Sequence, residues 1–255
     1  MGETPDGTMP NHFFALLYKH KTCSSSYLRT LKRIMTKRKL QRFAENELAP
    51  NVFQPPNIYP PADHELKGRW NESFFKNDHH IVLELGCGRG EYTVHLAKKF
   101  PENNYIGIDF KGARLWRGAK TALEDKMNHV AFLRIRIERI ESYFLQNEIN
   151  EIWITFPDPQ FKRIREKKRL TSIEFLSMYK NILKKDGIVH LKTDNAELYN
   201  YTLEVIKKNN FSILISTDDL YNSGLQNEIL EVKTTYEKIF LQQGSKICYL
   251  KFMLQ

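Results

Sequence analysis

The stretch Ile81-Val82-Leu83-Glu84-Leu85-Gly86-Cys87-Gly88-Arg89-Gly90-Glu91 restricts the fold more than any other part of this chain. An apolar run closed by a carboxylate and three alternating glycines reads as the first strand and first turn of a doubly wound α/β domain. A turn leaving a buried strand uses dihedrals closed to most residues and must let a ligand approach bare backbone; glycine meets both needs. Dinucleotide binding asks for the spacing G-x-G-x-x-G, but Gly90 comes one residue early and Glu91 stands where the third glycine belongs. The turn therefore suits a pyrophosphate poorly. Taken alone, it reads equally well as a tight structural turn.

About nineteen residues beyond Gly90, Tyr105-Ile106-Gly107-Ile108-Asp109 predicts a second strand ending in a carboxylate able to bind ribose hydroxyls. With Glu84 this sets two acids on neighbouring strand ends. A cofactor with a ribose and a cationic amino-acid moiety but no phosphate suits that pair better than a nicotinamide dinucleotide does. S-adenosylmethionine is such a molecule.

The formal charge of +9 favours a polyanionic partner, and nucleic acid over a membrane because no amphipathic basic helix is evident. Cys23, Cys87 and Cys248 are too few and too scattered for a disulfide framework or a zinc site, which agrees with a reducing compartment, the cytoplasm. The apolar run from Phe13 to Tyr18 lacks the flanks of an export signal, and no stretch is long enough to span a bilayer. Residues 1 to 30 read as a flexible leader. The strongly basic segment from Leu28 to Phe43 is either an arm laid on phosphates or a solvated helix face. The expected organisation is a leader and basic arm, 1–42, followed by one α/β domain, 43–255. The sequence leaves monomer and homodimer open.

Pro50, Pro55, Pro56, Pro60 and Pro61 mark an irregular connector, and Lys67 to Lys76, with Trp70, Phe74 and Phe75, is expected to pack as a short helix on the core. Further strands are expected at 130–135, 149–156, 187–193, 211–216 and 247–253. Helices are expected at 89–99, 111–126, 171–184 and 196–208. This alternation predicts a mostly parallel, seven-stranded sheet with helices on both faces. Its last strand is antiparallel and is reached through the segment 218–244.

In an open α/β sheet, ligands gather outside the carboxyl ends of the strands. The fourth strand ends in Thr155-Phe156-Pro157-Asp158-Pro159-Gln160-Phe161-Lys162, where two prolines stiffen the backbone around Asp158. This is a rigid acid at the cleft, or a structural Asp-Pro turn. Directly behind it, Lys162 to Arg169 is a dense basic run that can hold phosphates while a base is presented to Asp158. The fifth strand ends in Lys192-Thr193-Asp194, where Asp194 either hydrogen-bonds a substrate or caps the next helix. Thr234-Thr235-Tyr236-Glu237 brings hydroxyls, a phenol and a carboxylate together, groups able to read a base edge.

Leu83-Glu84-Leu85-Gly86-Cys87-Gly88-Arg89-Gly90-Glu91, Ile106-Gly107-Ile108-Asp109 with Lys111, Ala113 and Arg114, Phe156-Pro157-Asp158-Pro159 with Lys162 and the run to Thr171, Leu191-Lys192-Thr193-Asp194, and Thr234-x-Tyr236-Glu237 follow one another in order. This set, spanning roughly Lys39 to the carboxyl terminus, resembles the bacterial tRNA (guanine-N7-)-methyltransferase family. The resemblance implies a Rossmann-like class I methyltransferase fold and transfer of a methyl group from S-adenosylmethionine to N7 of guanine 46 in the variable loop of tRNA. It further implies cofactor binding by Glu84, Gly86, Gly88, Asp109 and Asp158, a catalytic Asp158, and substrate binding by Lys162, Asp194, Thr234, Thr235, Tyr236 and Glu237.

The chain departs from the family pattern at two places. Arg136 stands where the family commonly has the Asp or Asn that contacts adenine, with Ile137 or Glu138 as the candidate replacement, and Gln160 stands where many members have Trp. Three rival readings are methylation of an exocyclic amine, a non-catalytic RNA-binding partner that keeps the fold, and a nicotinamide-dependent oxidoreductase. Asp158-Pro159-Gln160 argues against the first. Intact Glu84, Asp109 and Asp158 argue against the second, and the glycine spacing against the third.

Overall fold

The computed structural model describes residues 38–56, 62–225 and 232–255. The chain divides into two units, 1–44 and 45–255. In the first, the described residues, 38–44, are helical, and Lys39 Nζ lies 6.0 Å from the centre of the Phe43 ring. The leader and residues 28–37 of the basic segment lie outside the described residues.

Among its described residues the second unit holds a single sheet of eight strands: β1 (Val52–Phe53), β2 (His80–Leu85), β3 (Asn103–Ile108), β4 (Val130–Leu133), β5 (Ile149–Thr155), β6 (Leu183–Thr193), β7 (Ser212–Thr217) and β8 (Cys248–Met253). Their order is β1-β4-β3-β2-β5-β6-β8-β7, parallel except where β8 runs antiparallel to β6 and β7. The chain winds outward from β2 to one side through β3 and β4. It then returns to β5 and winds to the other, which puts the topological switch point between β2 and β5. Among the described residues, five helices connect the strands: α1 (Glu91–Lys99), α2 (Gly112–Glu124), α3 (Ile173–Ile182), α4 (Ala196–Lys208) and α5 (Thr235–Gln242).

β2 is buried on both faces, as a central parallel strand must be, so its apolar run is nearly continuous rather than alternating. Period 2 still sorts its residues. Leu83 and Leu85 join the core under α3 and α4, with Phe175, Tyr179 and Ile206, whereas Val82 joins the core under α1 and α2, with Tyr92, Leu115 and Phe132. Trp70 is fully buried on the first face, as expected for the short turn Trp70–Phe75, and its indole nitrogen donates to Tyr143 O at 2.9 Å.

The seven expected strands are present, and β1 is added to them. β1 is two residues long and pairs parallel with β4 through Val52↔Phe132 and Phe53↔Leu133, inside the segment expected to be an irregular connector. Two residues flanked by prolines carry no periodicity to read. β6 also begins earlier than expected, at Leu183, with its register to β5 shifting between Ile149 and Glu151. The segment 218–244 holds a helix, α5, that strand-helix alternation did not suggest.

Candidate active site

The glycine turn follows the carboxyl end of β2, beside the switch point. Gly86 and Gly88 have φ of +75° and +57°, the left-handed region that side chains rarely enter. Gly86 N and Cys87 N both donate to Ile108 O, at 2.8 and 3.0 Å, fastening the turn to the end of β3. A Cβ built on Gly88 would meet nothing nearer than Gly86 O at 4.0 Å, so the space over the turn is left unfilled by protein. Cys87, within the same turn, is buried, and burial pushes its thiol well above its ordinary value.

Asp109 follows β3 directly and is buried. Its Oδ2 accepts from Gly88 N at 3.0 Å and its Oδ1 from Lys111 N at 2.8 Å. Each carboxylate oxygen keeps a second lone pair. Asp109 therefore braces the turn and can still accept from a ribose diol. Beside it, at the carboxyl ends of β3 and β4, lies a cavity of about 420 Å³ bordered by Phe110, Ile135 and Arg136. Phe110 is 54% exposed, and the Arg136 guanidinium lies 6.0 Å from its ring centre. A diol acceptor, a flat apolar wall and a turn of bare backbone are the groups that S-adenosylmethionine requires, so the residues present fit it.

Glu84 is placed differently from a ligand-facing acid. On the same face of β2 as Val82, it points under α1. Its Oε2 accepts from Thr93 N at 2.8 Å and from the Thr93 hydroxyl, and its Oε1 accepts from Thr155 Oγ1 at 2.8 Å. Burial pushes its carboxyl up to about 7, against the opposing pull of the Thr93 and Thr155 hydrogen bonds. Glu84 thus joins the end of β2 to α1 and to the end of β5, where Asp158 follows.

Asp158 is exposed on the turn leaving β5, and its Oδ1 accepts from Gln160 N at 3.0 Å, an Asx turn. Phe156 and Gln160, on either side, have φ of +48° and +50°. Phe156 N donates to Lys192 O at 2.8 Å, tying the turn to β6. Lys162 precedes a short helical turn, Arg163–Lys168, in which Arg163, Arg165, Lys167 and Lys168 are all exposed. Asp194 lies half-buried just beyond β6, its carboxyl raised by burial. Capping does not account for it, because the cap of α4 is Asn195, which accepts from Leu198 N at 2.7 Å.

The segment Thr234–Glu237 is the first turn of α5. Thr234 is its cap, accepting from Glu237 N at 3.1 Å. Thr235 N and Oγ1 donate to Glu91 at 2.7 and 2.9 Å, which brings α5 onto the start of α1. Tyr236 is 52% exposed. Glu237 overturns the idea of a carboxylate offered to a base edge: it is fully buried, 2.7 Å from the equally buried Lys192 Nζ, and it accepts from Tyr221 Oη at 2.7 Å. Burial pushes the Lys192 ammonium down, and Glu237 pulls it back up.

The structure therefore places Glu84, Asp109 and Asp158 at or just beyond the carboxyl ends of three adjacent strands, β2, β3 and β5, with Asp194 just beyond the next strand, β6, and turns the Glu84 side chain under α1. It turns Glu237 inward. Sequence reasoning missed Lys192 and the link from Glu91 to Thr235. The Thr-x-x-Glu spacing at 234–237 is a helix-start signal that would have found α5.

A family model described as "Putative methyltransferase" matches residues 78–250. Among curated relatives, a tRNA (guanine-N(7)-)-methyltransferase of Christiangramia forsetii is 52% identical over 227 residues, covering 86% of this chain and 99% of the relative. One from Bacteroides thetaiotaomicron is 48% identical, covering 86% of this chain and 87% of the relative. Among solved structures, the 16S rRNA methyltransferase KamB superposes with a TM-score of 0.57 at 13% identity, over 74% of this chain and 94% of that one, a likeness of fold.

Proposed function

The chain belongs to the tRNA (guanine-N(7)-)-methyltransferase family, and from that premise we propose that it methylates N7 of guanine 46 in the tRNA variable loop, with Asp158 as its catalytic carboxylate. What supports the reading is the arrangement at the switch point: an open glycine turn and a diol acceptor, Asp109, on one side, and the Asp158 turn on the strand next to it. S-adenosylmethionine, when bound, supplies an electrophilic methyl group on a sulfonium sulfur.

In this reading Asp109 accepts from the ribose hydroxyls, and the bare backbone of Gly86 and Gly88 borders the amino-acid moiety. Glu84 acts through the turn and α1, which it braces from below. Phe110, Ile135 and Arg136 take the place of the acidic or amide adenine contact, the ring and guanidinium offering flat faces to the base.

Guanine N7 carries an in-plane lone pair and no proton, so the attacking atom needs no general base. Alignment is the main task, and its contribution reaches roughly 7 to 11 kcal/mol in the best intramolecular cases. Asp158 holds the base and stabilises the positive charge that moves onto the purine. Lys162 and the exposed cations of 163–168 hold the RNA backbone, and Asp194, Thr234, Thr235 and Tyr236 border the substrate side. Residues 43–255 form the catalytic domain, with 1–42 as an arm on tRNA phosphates. Among the described residues no helix is long and apolar enough to cross a membrane, and the cytoplasm is the site of action proposed.

The test is incubation with labelled S-adenosylmethionine and unmodified tRNA, followed by mapping of the methylated nucleotide. Label at N7 of guanine 46 is expected. Asp158→Asn should lower kcat by about 100-fold or more while S-adenosylhomocysteine still binds. Label on an exocyclic amine, or no transfer at all, overturns the reading.

A further inference from the structure

Arg169 closes the basic run behind Asp158, and composition alone would count it as one more cation for RNA phosphates. Its surroundings set it apart. Lys162, Arg163, Arg165, Lys167 and Lys168 are exposed, whereas Arg169 is half-buried. Its Nε donates to Pro159 O at 3.0 Å, the carbonyl of the residue immediately after Asp158. Its guanidinium lies 4.3 Å from the centre of the Tyr201 ring on α4, a stacking distance.

The turn it touches is strained. Phe156 and Gln160 both sit in the left-handed region, at φ +48° and +50°, with Pro157, Asp158 and Pro159 between them. Residues other than glycine remain in that region only where their surroundings over-determine them. On the entry side the constraint is Phe156 N on Lys192 O at 2.8 Å. Inside the turn it is Gln160 N on Asp158 Oδ1. On the exit side it is Arg169, anchored in turn by the face of Tyr201.

The geometry points to Arg169 as a positioning residue for Asp158, a strut that fixes where the carboxylate stands, rather than a phosphate ligand. The inference rests on the assignment of Asp158 as the catalytic carboxylate. Arginine suits the task because its planar fork donates along one edge while its face stacks, and lysine cannot do both at once. With the carboxylate displaced by a fraction of an ångström, the protein still binds RNA through its exposed cations, but Asp158 no longer meets the purine in the reactive alignment.

The test uses the full chain with Arg169→Lys, Tyr201→Leu, Tyr201→Phe, Lys168→Ala and Asp158→Asn. Two quantities are read: the single-turnover rate of transfer at saturating tRNA and S-adenosylmethionine, and the tRNA Kd across a salt series. Arg169→Lys should lower the rate about 10- to 100-fold while leaving tRNA Kd within about twofold and the salt slope unchanged. Tyr201→Leu, which removes the ring face, should lose more rate than Tyr201→Phe, which keeps it. Lys168→Ala should weaken tRNA binding and reduce the salt slope by about one, the signature of a lost phosphate contact. If Arg169→Lys keeps the rate, or shows a rate loss no larger than its loss of tRNA affinity, the inference fails. Should Arg169→Lys not fold, the order of the two Tyr201 variants decides, and equal rates for them overturn it. Asp158→Asn separates the two levels: a retained rate there removes the premise, whereas a lost rate with Arg169→Lys and Tyr201→Leu intact removes the strut alone.

Discussion

Thr235 places both its backbone N–H and its hydroxyl on the carboxylate of Glu91, at 2.7 and 2.9 Å, across 144 residues of chain. Glu91 is the first residue of α1, immediately after the glycine turn, and Thr235 is the first residue of α5. One carboxylate thus joins the element proposed to border the cofactor to the element proposed to border the substrate. Carboxylates are also favoured at helix amino termini, so Glu91 suits both helices at once.

Glu91→Ala should therefore separate activity from stability. The bonds are solvent-exposed, and their loss should cost about 1 kcal/mol or less in unfolding free energy. The first turn of α5 loses its seat, and kcat/KM for tRNA should fall by about tenfold, in keeping with the sensitivity of oriented sites to small displacements. Steady-state kinetics beside a urea titration check both. Unchanged kinetics would make the clamp decorative.

The Lys192–Glu237 pair should behave in the opposite way. Both partners are fully buried. Removing one leaves an uncompensated charge in the interior, a loss of about 3 to 5 kcal/mol, whereas replacing both with apolar side chains of similar volume is often neutral or stabilising. Glu237→Ala should unfold at much lower urea than the unsubstituted protein, and Lys192→Met combined with Glu237→Leu should recover most of the difference. Equal midpoints for the single and double variants would show that the pair is not coupled as its 2.7 Å separation implies.

Glu84 gives the fold a dependence on pH whose sign follows from its buried carboxyl. The folded value is about 7, above the ordinary 4.5. The native state holds this proton more tightly than the unfolded state does, so the group costs nothing below the unfolded value and its penalty grows as pH rises from about 4.5 to about 7. Glu84→Gln, which resembles the protonated form at every pH, removes that term. The unfolding free energy of the unsubstituted protein relative to Glu84→Gln should fall by on the order of 3 kcal/mol across this window. Urea titrations at pH 4.5, 6 and 7.5 measure the difference. A difference independent of pH would mean that Glu84 ionises in the folded protein as it does in the unfolded one.

These relationships differ in how far the sequence discloses them. β2, its turn and Asp109 are legible because their signals are local: an apolar run, glycines at fixed spacing and an acid one strand later. Asp158 is legible for the same reason, held between prolines at a strand end. β1 is too short to carry a pattern, and its hydrogen bonds come from pairing with β4, whose partner residues are eighty positions away in the chain. Lys192 reads as a surface lysine until Glu237 and Tyr92, on other elements, are brought beside it. Glu237 reads as an available acceptor until the same fold turns it inward. The partners that decide these roles are distant in sequence, and no local pattern names them.

Two glycines of the same motif should fail for different reasons when given a methyl group. At Gly88, φ is +57° and a Cβ would stand in open space 4.0 Å from Gly86 O. Gly88→Ala therefore carries the left-handed strain, about 1 to 2 kcal/mol, and sets its methyl in the volume proposed for the cofactor. The protein should fold, and KM for S-adenosylmethionine should rise about tenfold or more. At Gly90, φ is +68°, and a Cβ would run into the Phe132 ring and stand 3.2 Å from Gly118 Cα, where α1, α2 and β4 meet. Gly90→Ala adds an overpacking cost of about 1 to 3 kcal/mol to the same strain, and Phe132, fully buried, has no room to yield. Its melting temperature should drop well below that of Gly88→Ala, while the molecules that remain folded bind S-adenosylhomocysteine with nearly unaltered affinity. Calorimetric titration with S-adenosylhomocysteine, run beside thermal unfolding, tells the two apart. If Gly88→Ala binds as tightly as the unsubstituted protein, the space above the turn is not where the cofactor lies.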